Sequence, residues 1–160
     1  TIRDNVFFGK SRAAESDDNL RRALEISQAA EFVDKLPEGA EHKIAQLGRN
    51  VSGGQKQRLS IARALARDPE ILVFDDSFSA LDYRTDKVLR GELAEKMQNA
   101  TKIIVAQRIG TIRQAEQILV LDRGRAVGLG THDELMKTCT VYQEIARSQL
   151  SAEELEKEVG

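Results

Sequence analysis

Val51-Ser52-Gly53-Gly54-Gln55-Lys56-Gln57-Arg58-Leu59-Ser60-Ile61-Ala62-Arg63-Ala64-Leu65 is the stretch on which the fold turns. Ser52 and Gln55 stand three apart, the spacing of a capping box. The residues that follow predict a helix to about Arg67, stopped by Asp68-Pro69. Capping accounts for Ser52 and Gln55 but not for the two glycines. Two glycines in a first helical turn cost roughly 1 kcal/mol each relative to alanine. They suit a backbone that something approaches closely. Free amides at a helix N-terminus, aligned with its dipole, make a ready anion site. Taken alone, the segment leaves plain capping and anion binding equally open.

Downstream the pattern changes. Ile71-Leu72-Val73-Phe74 is a continuous apolar run ending in Asp75-Asp76, and Ile103-Ile104-Val105-Ala106 and Ile118-Leu119-Val120-Leu121 are two more. Uninterrupted apolar strands predict burial on both faces, as in a parallel sheet. Leu89, Leu93 and Met97, four apart, predict a helix between the first two runs. Strand, helix and strand then form a right-handed crossover. Asp122-Arg123-Gly124 reads as a turn into a short antiparallel edge strand, Arg125 to Leu129. Thr131-His132-Asp133-Glu134 is a capping box, which puts His132 at the surface, and Tyr142 is a packing residue of the last helix.

Upstream, residues 1 to 50 are helical in pattern and hold no convincing strand. Ser16 can cap a helix carrying Leu20, Leu24 and Ser27 at helical spacing. Leu36-Pro37-Glu38-Gly39 breaks the pattern, and His42 falls in a loop. The 160 residues suit one domain, at 41% hydrophobic and 31% charged with a net charge of −2. No basic block suggests a nucleic-acid partner. One cysteine, Cys139, excludes an internal disulfide. No apolar run approaches the about 20 residues of a membrane-spanning helix.

The segment from Val51 to Leu65 closely resembles the signature of ABC ATPases, whose consensus begins Leu-Ser-Gly-Gly-Gln; Val51 stands for the leucine. Ile71 to Asp76 resembles that family's Walker B strand, and Ser79-Ala80-Leu81-Asp82 follows at D-loop spacing. Thr1-Ile2-Arg3-Asp4-Asn5 and Leu36-Pro37-Glu38-Gly39 resemble the helical subdomain of the exporter branch. The series in order is far more specific than any one motif, and it runs to about residue 150. The resemblance implies an α/β, P-loop NTPase-like partial domain. A helical subdomain through the signature helix would occupy residues 1–68. The C-terminal part of the ATPase core, a mostly parallel sheet with flanking helices, would occupy 69–150. An acidic tail would occupy 151–160. It also implies a head-to-tail dimer of ATPase domains on the cytoplasmic face of the cell membrane, joined to transmembrane domains. ATP and Mg²⁺ are the implied cofactors. Val51, Ser52, Gly53, Gly54 and Gln55 would then bind ATP held by the partner, with Ser52, Gly53 and Gly54 touching its γ-phosphate and Gln55 helping to position the loop, and Asp75 would hold Mg²⁺.

A Walker A loop needs Gly-x-x-x-x-Gly-Lys-Ser/Thr. Gly9-Lys10-Ser11 imitates its end, but the first glycine position holds Asp4, so a helix end or loop is expected there. The family's Walker A, Q-loop and membrane helices are expected upstream of Thr1. Without the Walker A strand, the sheet is expected to expose an edge and an apolar patch, and the chain alone to bind ATP poorly.

Two positions depart from the consensus chemistry. The catalytic glutamate is replaced by Asp76, one methylene shorter, and the switch histidine by Gln107, which cannot take up a proton at neutral pH. Together they resemble the degenerate-site subunit of heterodimeric exporters, whose intact signature serves the partner. Gln46 is a further departure, in the segment that meets the membrane domain's coupling helices. The alternatives are a soluble ABC ATPase acting on DNA or ribosomes and a non-catalytic dimerisation remnant.

Overall fold

In the computed structural model, residues 1–9 and 16–149 are described, and the acidic tail from 151 lies outside them, as do Lys10 and Ser11. The chain divides into two compact units, Thr1–Ile103 and the part from Ile104 onward.

The first unit opens with three helices: α1 (Ile2–Val6), α2 (Asp17–Ile26) and α3 (Ala30–Val33). Ser16 caps α2 by accepting from the Asn19 amide, as its position in the sequence predicts. Two 3-10 turns follow, Gly39–Glu41 and Gln46–Gly48. Helix α4 spans Gly53–Leu65. Both α1 and α2 pack against it. Leu20, Leu24, Leu59 and Leu65 are buried there, each contributing roughly 1.5–3 kcal/mol. Two arginines add direction to this packing. Arg63 donates to the Asn5 carbonyl at 2.7 Å and to the Asn5 side chain. Arg58 donates to the Gln28 carbonyl at 2.9 Å and lies over the Phe32 ring.

Strand β1 (Ile71–Asp75), helix α5 (Tyr83–Lys96) and strand β2 (Thr101–Val105) follow in order. β1 and β2 are hydrogen-bonded neighbours. The intervening helix is the kind of connection that a parallel pair requires. Leu72 and Phe74 point into the core with Leu89 and Leu93, and Phe78 packs its ring 5.2 Å from that of Phe74.

One expectation is corrected here. β1 is buried on one face only: Leu72 and Phe74 are covered, whereas Ile71 and Val73 are 60% and 62% exposed. An apolar run reports what a strand can bury, not what covers it, and among the described residues nothing lies over this face. The expected apolar patch is therefore present, with Ile103 half exposed as well. Such a patch is a self-association hazard. The purified chain is expected to elute from a sizing column as concentration-dependent oligomers. The Ile71→Thr, Val73→Thr double variant should shift that elution toward monomer.

In the second unit, β3 (Ile118–Asp122) pairs antiparallel with β4 (Arg125–Gly130). Arg123 and Gly124 form the two-residue loop, both at positive φ, as a type I′ turn demands. α6 (Ile109–Ile112), α7 (His132–Thr138) and α8 (Thr140–Gln149) complete it. Thr131 caps α7 through the expected box with Glu134. His132, expected at the surface, is instead buried: its Nδ1 lies 2.7 Å from the hydroxyl of Tyr142, itself buried as predicted. The capping box fixes the turn but does not determine which helix packs over the next residue.

Candidate functional site

Three parts of the candidate site meet in the first unit. The first is the start of α4. Ser52 accepts from the Gln55 amide at 3.2 Å, and the Gln55 side chain accepts from the Ser52 amide at 2.8 Å. This reciprocal box satisfies two of the donors at the helix start. Among the described residues, the amides of Gly53 and Gly54 have no acceptor. Gly53 is exposed, and Val51 leads into the turn half-buried. Bare amides at the positive end of a 13-residue helix attract an anion.

The second part is the loop after β1. Asp75 closes the strand, exposed, and its carbonyl accepts from Ser77. Asp76 follows with φ +48°, in the left-handed region. Aspartate tolerates that region better than most residues because its short side chain can hydrogen-bond locally. The Asp76 carbonyl accepts from Ser79 Oγ at 3.0 Å.

The third part is the turn from Ser79 to Asp82. Leu81 is buried, and Asp82 caps α5 by accepting from the Thr85 amide at 2.9 Å. That amide, with the Thr85 hydroxyl, holds the Asp82 carboxyl below its ordinary range. The Ala80 carbonyl runs against α4: a Cβ on Gly54 would stand 3.1 Å from it, whereas one on Gly53 would meet nothing nearer than 3.8 Å. The two glycines therefore serve different ends. Gly54 admits the neighbouring loop, and Gly53 leaves an amide open.

Asp75 and Asp76 are adjacent exposed carboxylates at the C-terminal end of a strand, the end at which open α/β sheets bind ligands. Among the described residues, no group of three or more His, Cys, Asp or Glu could hold a metal ion by itself. The donor chemistry of Asp75 and Asp76 is of the kind Mg²⁺ uses, since it takes one or two carboxylates and completes its shell with phosphate oxygens and water.

Gln107 lies in the second unit, after β2, and is exposed. Its backbone is held by a residue that sequence reasoning passed over. The Gln149 side chain donates to the Gln107 carbonyl at 2.7 Å and accepts from the Ile109 amide at 2.9 Å. Nothing local marks Gln149, 42 residues away. Gln57, the other residue missed, did carry a signal. It stands three and four places after the two glycines, on one helix face with them.

The family model for ABC transporters matches residues 1–79, which include the open amides of α4 and both aspartates. The chain belongs to the ABC transporter ATP-binding family. A Mycoplasma genitalium protein named as an ABC transporter ATP-binding protein is 44% identical over 135 residues, 84% of this chain and 22% of that protein. An ATP-dependent lipid A-core flippase of Albidiferax ferrireducens is 40% identical, covering 93% of this chain and 26% of that protein. A bacterial Atm1-family ABC exporter, solved with ATP bound, matches 95% of this chain and 26% of its own, with a TM-score of 0.87 and 35% identity. The chain thus spans about a quarter of the length of these relatives. It is a partial ABC ATPase fold matching an exporter's nucleotide-binding domain. No helix among the described residues is long and apolar enough to cross a membrane.

Proposed function

We propose that this chain is the ATP-binding part of an ABC exporter whose signature turn serves a nucleotide held by a second ATPase domain. The observation that carries this is the pair of open amides at Gly53 and Gly54, left over after the capping box has satisfied its own donors. They would meet the terminal phosphate of ATP, with Ser52 and Gln55 fixing the turn that presents them. Asp75 would hold Mg²⁺, which when bound neutralises charge on the phosphates.

This chain's own nucleotide site is slow on this reading. Asp76 stands where the water-positioning carboxylate belongs but falls a methylene short. Gln107 can donate a hydrogen bond but cannot exchange a proton near neutral pH. A chain with an intact signature and a weak site of its own fits one half of a heterodimer. Transmembrane domains on the cytoplasmic side of a membrane complete the assembly. Gln46, beside an exposed Leu47 held at φ +61°, belongs to the surface that would meet them.

The test is ATP turnover by the purified chain, alone and mixed with an intact ABC ATPase domain. The chain alone is expected to give none above the blank. Added to the partner domain, it should raise turnover until the two are equimolar. Turnover by the chain alone, or no response from the partner, overturns the reading.

A further inference from the structure

Gln57 lies one turn into α4, half-buried, and its side chain reaches out of its own helix. Its Oε1 accepts from the Ala80 amide at 3.0 Å. Its Nε2 donates to Ser79 Oγ at 3.2 Å and to the Asp76 carbonyl at 3.4 Å. One amide group therefore uses both its acceptor and its donor on the loop that begins at Asp76. The loop needs such support. Asp76 sits at φ +48°, and a non-glycine residue stays in that region only where its surroundings over-determine it. Apart from Gln57, its carbonyl is held by Ser79 through the hydroxyl at 3.0 Å and the amide at 3.4 Å. Steric fit adds to the polar contacts, because the Ala80 carbonyl passes so close to Gly54 that a Cβ there would stand 3.1 Å from it.

We infer that Gln57 is a positioning residue that locks the loop from Asp76 to Ala80 onto the first turn of α4. Its consequence for turnover rests on the phosphate-binding role proposed for Gly53 and Gly54; the lock itself does not. The start of α4 faces one nucleotide, and Asp75 with Asp76 face another. Gln57 ties the backbones of the two, so a displacement of either by a phosphate is passed to the other. Among the described residues of the first unit, Gln57 bonds both the Asp76 carbonyl and the Ala80 amide through its one side chain.

The test compares Gln57→Leu and Gln57→Glu with the parent in the intact protein, assembled with its partner ATPase domain and given Mg²⁺ and ATP. Leucine keeps the bulk and removes every hydrogen bond. Glutamate keeps an acceptor for the Ala80 amide and loses the donor to Asp76. A displacement near 1 Å in a catalytic group costs on the order of 10²-fold. Gln57→Leu is therefore expected to lower kcat by at least about tenfold with KM within about twofold. Amide exchange across 76–81 should quicken by a similar factor while that of 59–65 stays as in the parent. Gln57→Glu should fall between the two on both measures. Unchanged exchange at 76–81 in Gln57→Leu overturns the lock, as does quickened exchange throughout α4, which marks general loosening. If the parent assembly does not turn over ATP, the proposed function fails, and the exchange arm still decides the lock.

Discussion

Gly53→Asp is expected to make the chain more stable and to end its support of a partner's ATP turnover. The two effects run in opposite directions because they arise from different properties of one position. Gly53 is the first helical residue of α4, and an added Cβ would meet nothing nearer than 3.8 Å. Replacing glycine in a helix gains roughly 0.5–1 kcal/mol through lost backbone freedom in the unfolded chain. A carboxylate in the first turn adds about 0.3–1 kcal/mol by facing the positive end of the dipole. The sum, about 1–2 kcal/mol, should raise Tm by a few degrees in a chain of this length. The same carboxylate stands where a phosphate would have to approach. It repels the anion and competes for the open amides, and losing one such donor costs about 10²–10³ in rate. Paired thermal melts and partner-stimulated ATPase assays check both arms. A stabilised variant that still stimulates fully would mean that the turn is a cap and nothing more.

That prediction also marks how far the sequence carries. The start of α4, the caps at Ser16 and Thr131, and the first two apolar runs were legible because each depends on neighbours within a few residues. The β3–β4 hairpin was legible for the same reason: Arg123-Gly124 supplies the two positive φ values that its turn requires. What escaped depends on packing or on partners distant in the chain. His132 was placed outside because its capping box is a surface motif, yet Tyr142 of the next helix closes over it. β1 reads as buried on both faces because apolar residues declare a capacity for burial, not the presence of a cover. The site was legible as residue types but not as geometry. Nothing in the string Asp75-Asp76 announces that the second aspartate is left-handed. Nor does the spacing of 23 residues between Gln57 and Ala80 announce that they are bonded.

The left-handed Asp76 bears directly on whether this chain's own site can be repaired. Asp76→Glu restores the missing methylene, and a gain approaching the about 10²-fold cost of a 1 Å displacement would follow if reach were all that mattered. Glutamate tolerates φ +48° less readily than the shorter aspartate, so about 1 kcal/mol of stability is lost as backbone strain. Tm should fall accordingly. Gln107→His alone supplies a group that titrates near neutrality but leaves the carboxylate short, so its effect should be small. The proposed reading makes both departures limit the same turnover, so the Asp76→Glu, Gln107→His double variant should exceed the product of the two single gains. The measurement needs the full-length polypeptide, paired with a partner whose own catalytic carboxylate has been neutralised, so that the remaining turnover comes from this chain's site. Equal rates for parent, both single variants and the double would show that neither departure limits the site. The slow half of the proposed heterodimer would then have to be explained by something other than its two altered side chains.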